Sequence, residues 1–177
     1  MTVFEITFIV SASGYVLFLL WCFYWWLKQD ELSTAPSPFP SVEIIIPARN
    51  EALNIGSVLD DLRKQHYPLS SFRVTVIDDH STDHTLQYCL EYGHRYAEFP
   101  LTCHRLSDHG SKKKAIAEAV GKSSAEWIVT VDADVQIASA KWLEVLMSNV
   151  NEQVDLICGP VVLGCDEKTN FFSRVSS

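Results

Sequence analysis

From Val42 onward the sequence alternates short β-branched runs with stretches of helical period, and that alternation limits the chain to a layered α/β fold. Val42–Ile46 reads VEIII and stops at Pro47, as a buried strand does. Ile55, Val58, Leu59 and Leu62 then recur at i, i+3, i+4 and i+7, which predicts a helix with Asn54 as its N-cap and Pro68 beyond its end. Phe72–Ile77 predicts a second strand, Ser81 a cap for a helix running toward Tyr96, and Leu101–Leu106 a third strand. Lys112–Val120 predicts a helix closed near Gly121, and Trp127–Val131 a fourth strand. Trp142, Val145, Leu146 and Val150 share one face of a further helix, and the apolar run Val154–Leu163 predicts a fifth strand. Strands separated by helices pair in parallel. Right-handed crossovers then gather all their C-terminal ends on one edge, where ligands bind near a reversal of strand order.

Ahead of this pattern lies an apolar run without a charge, Ile6–Leu27. At ~1.5 Å per residue it spans roughly 33 Å as a helix, against about 30 Å for a bilayer core. Trp21, Tyr24, Trp25 and Trp26 gather at its C-terminal end, as in an aromatic belt. The start, MTVFEI, lacks the basic residues of a cleaved signal peptide. Residues 1–28 are therefore expected to be a single-pass membrane anchor with the bilayer around residues 6–27. Lys28 flanks the run, and the positive-inside rule puts the following domain in the cytoplasm. Residues 29–41, rich in Pro and Ser, read as a linker, and the folded domain as 42–177.

The net charge is −8. A nucleic-acid binder normally presents a basic face, so that class of partner is not expected. An acidic chain can hold a phosphate ligand only through a metal or a local basic cluster. The five cysteines form no Cys-x-x-Cys pair, and they suggest neither a zinc ribbon nor a disulfide framework.

Three strand ends deliver chemistry to the ligand edge. The first leads into Pro47-Ala48-Arg49-Asn50-Glu51, the second into Asp78-Asp79-His80-Ser81-Thr82-Asp83, and the fourth into Asp132-Ala133-Asp134. If the chain turns at Ala133, Asp132 and Asp134 can both face one hard divalent cation such as Mg²⁺ or Mn²⁺, with water and phosphate completing its shell. Equally, aspartates at such a place can simply cap a turn. Lys112, Lys113 and Lys114 form the one dense basic cluster. They suit a diphosphate at a helix start, or else a solvated helix end. His80 and His84 are four apart, a spacing that could share zinc on a helix, though no third ligand is fixed by spacing.

The segments VEIIIPARNEALNI, VTVIDDHSTDHT, GSKKKAIAEAV and WIVTVDADV together resemble successive blocks of glycosyltransferase family 2, across about Val42 to Leu163. The resemblance implies the GT-A fold, a Rossmann-like and mainly parallel sheet flanked by helices. With the anchor, it is similar to the membrane-bound bacterial branch. It implies transfer of a sugar from a nucleotide-diphosphate donor, most often a UDP-sugar, to a membrane-associated or cell-envelope acceptor, assisted by Mg²⁺ or Mn²⁺. By the same resemblance Pro47, Ala48 and Glu51 belong to the first nucleotide-contacting loop, and Asp79 reads the base. Lys112 or Lys113 lies near the diphosphate, and the triple lysine leaves that register open. Asp132 and Asp134 match the DxD motif, the second as the metal ligand and the first near ribose and donor sugar.

Family members also carry an acceptor-side general base and often a Gln-x-x-Arg-Trp block, and neither is present by Ser177. The expectation is a chain that holds the donor half, with the base beyond Ser177. Two alternatives follow: a non-catalytic module that binds nucleotide sugars, and a nucleotidyltransferase. The second would need a Gly-rich loop after the first strand, where PARNEALN stands.

Overall fold

The computed structural model of the chain describes residues 2–27, 38–108, 110–151 and 153–159. It forms two compact units, residues 1–33 and 34–177. In the first, α1 (Val3–Leu27) is continuous. Within it Val3–Trp25 is long and apolar enough to cross a membrane, the one such helix among the described residues. Phe18 stacks on Trp21 with ring centroids 6.3 Å apart.

The second unit runs β1 (Val42–Ala48), α2 (Ile55–Arg63), β2 (Phe72–Asp78), α3 (Thr85–Arg95), β3 (Leu101–Arg105), α4 (Lys112–Lys122), β4 (Trp127–Thr130) and α5 (Trp142–Ser148). The sheet order is β3-β2-β1-β4, and every pairing is parallel. The chain steps outward from β1 to β2 to β3, then returns through α4 to lay β4 on the other side of β1. Constant crossover handedness sends the returning helix to the opposite face. The core divides accordingly. Val42, Ile44, Ile46 and Ala48 of β1 pack with Ile55, Val58, Leu59 and Leu62 of α2, Cys89 and Tyr92 of α3, and Leu143 and Met147 of α5. The alternate β1 residue Ile45 packs with Ile77, Leu106, and Ala115 and Ala119 of α4. β1 is thus buried on both faces, which is why Ile44, Ile45 and Ile46 stand in succession rather than alternating with polar residues, and its one buried acid, Glu43, accepts from the Thr75 hydroxyl at 2.7 Å.

Two polar clamps lock the helices of the first face. The Tyr92 hydroxyl donates to Asp60 Oδ1 at 2.7 Å and accepts from Arg63 Nε at 3.3 Å, joining α2 to α3. Gln65 Nε2 donates to the Ser139 carbonyl at 2.9 Å, while its Oε1 accepts the Leu143 amide at 3.0 Å, and this docks the start of α5.

Some local expectations are corrected. Asn54 precedes α2 as expected but does not cap it through its side chain. Its amide group donates to Glu51 Oε2 at 2.8 Å instead. Helix α3 starts at Thr85, not after Ser81, because the Ser81 hydroxyl is engaged by the neighbouring loop. Helix α4 continues through Gly121 to Lys122. The expected fifth strand is not a strand over its described part, residues 154–159, and residues 160–163 lie outside the described residues. A strand exists only by pairing, and Leu156 within that run is 80% exposed. Of the expected linker, residues 29–37 also lie outside the described residues.

Candidate functional site

The strand order reverses between β1 and β4, so a ligand crevice belongs at their C-terminal ends. Pro47 helps to open it. The Val42 amide donates to Ser71 on the β2 side at 2.9 Å, and amides alternate in direction along a strand, so residues 43, 45 and 47 turn theirs toward β4. The β1–β4 ladder ends as the Val131 amide donates to the Ile45 carbonyl at 3.0 Å. The next β1 residue facing β4 is Pro47, which has no amide hydrogen to continue the ladder. On the β2 side pairing runs on to Ala48, whose carbonyl accepts the Asp79 amide at 2.9 Å. The sheet therefore stays closed between β1 and β2 and parts between β1 and β4.

Residues 131–134 alternate at that parting. Val131 and Ala133 are buried, and Asp132 and Asp134 are exposed. Both acids thus face solvent, and Lys112, the first residue of α4, forms an ion pair with Asp132 through Nζ and Oδ1. Helix α4 begins here because Ser111 is extended and its carbonyl accepts the Ala115 amide at 3.0 Å. Lys113 and Lys114 are exposed beside it. Asp132 and Asp134 suit a hard cation that takes one or two carboxylates and completes its shell with water and phosphate. They are not a complete cage: among the described residues no three His, Cys, Asp or Glu side chains gather around a metal position. The same observation leaves His80 and His84 outside any such group.

The paired acids after β2 have separate surroundings. Asp78 is fully buried; Arg105 Nε donates to its Oδ2 at 3.0 Å, and the Ser81 amide donates to both its carboxylate oxygens at 3.3 Å. Asp79 is buried too, but its Oδ1 accepts the Gly110 amide at 3.1 Å, and Arg49 lies 3.8 Å from its Oδ2. Asp78 therefore holds the end of β3, whereas Asp79 meets the β1 loop and the approach to α4. Glu51 is less directly presented, because its carboxylate accepts from Asn54 and its amide donates to the Thr85 hydroxyl at 2.8 Å. Asp83 accepts from the Thr85 hydroxyl and from the amides of Thr85 and Ala52, and these donors hold its pKa below the usual value.

At this edge Pro47 and Ala48 close β1, Asp79 follows β2, and Lys112 pairs with Asp132, two residues before Asp134. The sequence reading did not single out Arg105 or Asn50. Arg105 was detectable as a charge at the C-terminal end of a strand. Asn50 carried a fainter signal, a residue type that tolerates positive φ placed straight after a strand.

A family model for glycosyl transferase family 2 matches residues 43–176. The beta-monoglucosyldiacylglycerol synthase of Nostoc sp. is 30% identical over 135 residues, 76% of this chain and 29% of that protein. The poly(ribitol-phosphate) beta-N-acetylglucosaminyltransferase TarS of Staphylococcus aureus is 33% identical over 92 residues, 51% of this chain and 16% of that protein. The chain spans less than a third of the length of these curated relatives. Among solved structures, the mannosyltransferase PcManGT from Pyrobaculum calidifontis in complex with GDP-Man and Mn²⁺ superposes with a TM-score of 0.65 at 28% identity, covering 76% of this chain and 39% of that one. With the family match across most of its length and this shared architecture, the chain belongs to glycosyl transferase family 2, and its α/β unit has the GT-A fold.

Proposed function

We propose that this chain is the donor-binding part of a glycosyltransferase. It would take a sugar from a nucleotide-diphosphate donor, with UDP-sugars the first candidates, and pass it to a membrane-associated or cell-envelope acceptor. The observation that carries this reading is the meeting of Lys112 with Asp132 at the parting of β1 and β4, with Asp134 two residues on. In an acidic chain this is a place where one fixed cation and two carboxylates stand together at the ligand edge.

On this reading Ala48 and Asp79 form the wall that accepts the nucleoside, with Asp79 accepting from the base. Pro47 and Glu51 belong to the same first loop. Lys112, with Lys113 beside it, binds the diphosphate at the start of α4, where unpaired helix amides also favour anions. Asp132 turns from Lys112 toward ribose and donor sugar, and Asp134, with Asp132, holds a divalent cation. That cation, Mg²⁺ or Mn²⁺, would neutralise the diphosphate and the charge left on it when the glycosidic bond breaks. Helix α1 would hold the site beside its acceptor, with the α/β unit on the cytoplasmic side. Relatives named for a glucosylated diacylglycerol and for a poly(ribitol phosphate) support an acceptor in the membrane or envelope. The GDP-Man and Mn²⁺ of the mannosyltransferase support a nucleotide sugar with a divalent cation, and keep guanine as the competing base.

The test is thermal unfolding of the full chain in detergent with UDP or GDP, each with and without Mn²⁺. A ligand at ~100 times its dissociation constant stabilises a fold by roughly 2.7 kcal/mol. A shift that requires Mn²⁺ is expected, and the larger shift names the base. A cooperative transition indifferent to every nucleotide would overturn the donor-site reading. Binding without sugar transfer to added lipid acceptors would leave the chain as a nucleotide-sugar-binding module.

A further inference from the structure

Two loops form the nucleoside wall, one after β1 and one after β2, and they carry no backbone pairing to each other beyond Ala48 and Asp79 among the bonds described. Side chains replace it. The Asn50 amide donates to Ser81 Oγ at 2.9 Å, and Asn50 Oδ1 accepts from the Thr82 amide at 2.8 Å and the Thr82 hydroxyl at 3.2 Å. Beyond it, the Glu51 amide donates to Thr85 Oγ1 at 2.8 Å and the Ala52 amide to Asp83 Oδ2 at 3.1 Å. Both loops also turn through the left-handed region at a residue with a side chain, Asn50 at φ 57° and His80 at φ 54°. Such conformations are unfavourable for most side chains and persist where surrounding contacts impose them. Here each turn sits one or two residues from a nucleoside-wall residue, Ala48 or Asp79.

Resting on the donor-site reading above, we infer that Asn50 is a positioning residue for nucleotide binding. It ties the loop after β1 to the loop after β2 beyond the last backbone pairing, that of Ala48 with Asp79, so that the two loops move as one wall. Asn suits the position twice over. It tolerates φ 57°, and its carboxamide oxygen takes two donors from Thr82, while the backbone amide of residue 50 engages Ser81. The bonds cross between loops rather than closing within one, so their loss frees the wall without removing any core contact.

The experiment uses three single variants of the full chain and the N50G/S81A double variant. Asn50→Gly keeps access to positive φ and deletes the carboxamide, Ser81→Ala deletes the acceptor from the opposite loop, and Asn50→Asp keeps the acceptor oxygen. Three quantities are read: the melting temperature, amide hydrogen exchange at Thr82, and the affinity for UDP and GDP with Mn²⁺. N50G and S81A are expected to bind the preferred nucleotide roughly tenfold more weakly, the scale of one lost hydrogen-bonded contact. Thr82 should lose exchange protection in N50G and regain it in N50D. The double variant should bind more weakly than either single one, because N50G removes the bonds from Thr82 and S81A the separate bond from the Asn50 backbone amide. Native affinity in N50G and S81A alongside lost Thr82 protection would overturn the positioning role alone. Absence of nucleotide binding by the unmutated chain would overturn the donor-site reading, and this role with it.

Discussion

Lys112 Nζ donates to Asp132 Oδ1 although both side chains are more than half exposed, at 58% and 51%. An ion pair in that setting contributes about 0–1 kcal/mol to folding, so stability is not a sufficient reason for it. On the proposed donor-site reading it holds a cation and a carboxylate at the ligand edge, where an incoming diphosphate would take the lysine. Lys112→Met should therefore leave urea-denaturation stability within about 1 kcal/mol of the native value. It should weaken UDP or GDP binding by roughly tenfold or more, as loss of a charged hydrogen bond does. Isothermal titration on the same preparation reads the second effect, and unchanged affinity would remove Lys112 from the diphosphate contact.

Asp134 is exposed and adjoins buried Ala133. Replacing it with Asn keeps its shape and removes the charge a hard cation needs. The expected outcome is that Mn²⁺ no longer enhances nucleotide binding, while the melting temperature without ligand stays put. Persistence of the full Mn²⁺ effect in D134N would mean that the cation is held elsewhere.

The Asp78–Arg105 pair is asymmetric, since Asp78 is fully buried and the Arg105 side chain is half exposed. Arg105→Ala leaves a buried carboxylate with only the Ser81 amide among its donors described here, and should cost on the order of 2–4 kcal/mol. Asp78→Ala leaves an arginine that water can solvate, so it should cost less. Urea melts of the two variants decide the order, and equal losses would show that burial of Asp78 is not the controlling factor.

Acid should loosen the approach to α4 before it unfolds the core. Lys122 Nζ donates to Glu118 Oε1 at 2.7 Å and the Ser107 amide to Oε2 at 3.2 Å, and these hold the Glu118 carboxyl down from 4.5 to about 2. A carboxyl depressed in the folded state favours folding above its unfolded pKa. That contribution is whole above pH 4.5 and drains away as the pH falls toward 2. Asp83 is shifted in the same direction. Melting temperature measured from pH 6 down to pH 3 should fall less steeply for Glu118→Gln than for the native chain. Parallel curves would refute the assignment.

Much of the site was legible because its parts are local. Pro47, the Asp78-Asp79 doublet and Asp132-Ala133-Asp134 each follow an apolar run, and parallel strands carry all such endings to one edge. What could not be read was the use of each polar group. Asn54 and Ser81 stand where caps are expected, yet their side chains are taken by Glu51 and by the Asn50 amide. A capping bond competes with any partner that the tertiary fold brings closer. Likewise, nothing local distinguishes Asp78 from Asp79. Successive residues point to opposite sides at a strand end, and only the arrival of Arg105 made the first of them a structural acid.

The sequence by itself determined the order and type of the elements from α1 to α5, though not the expected fifth strand, together with the apolar span of α1 and the presence of three polar clusters at the ligand edge. Hydrophobic period and turn chemistry act over a few residues, so they survive without a fold. The tertiary structure decided that β4 lies against β1, that Pro47 ends their ladder where the crevice begins, and that Lys112 meets Asp132. It also decided that Asn50 joins the loop after β1 to the loop after β2. Each of these joins residues at least 20 positions apart, and such contacts arise only when packing of the core has set the distance between the strands that carry them.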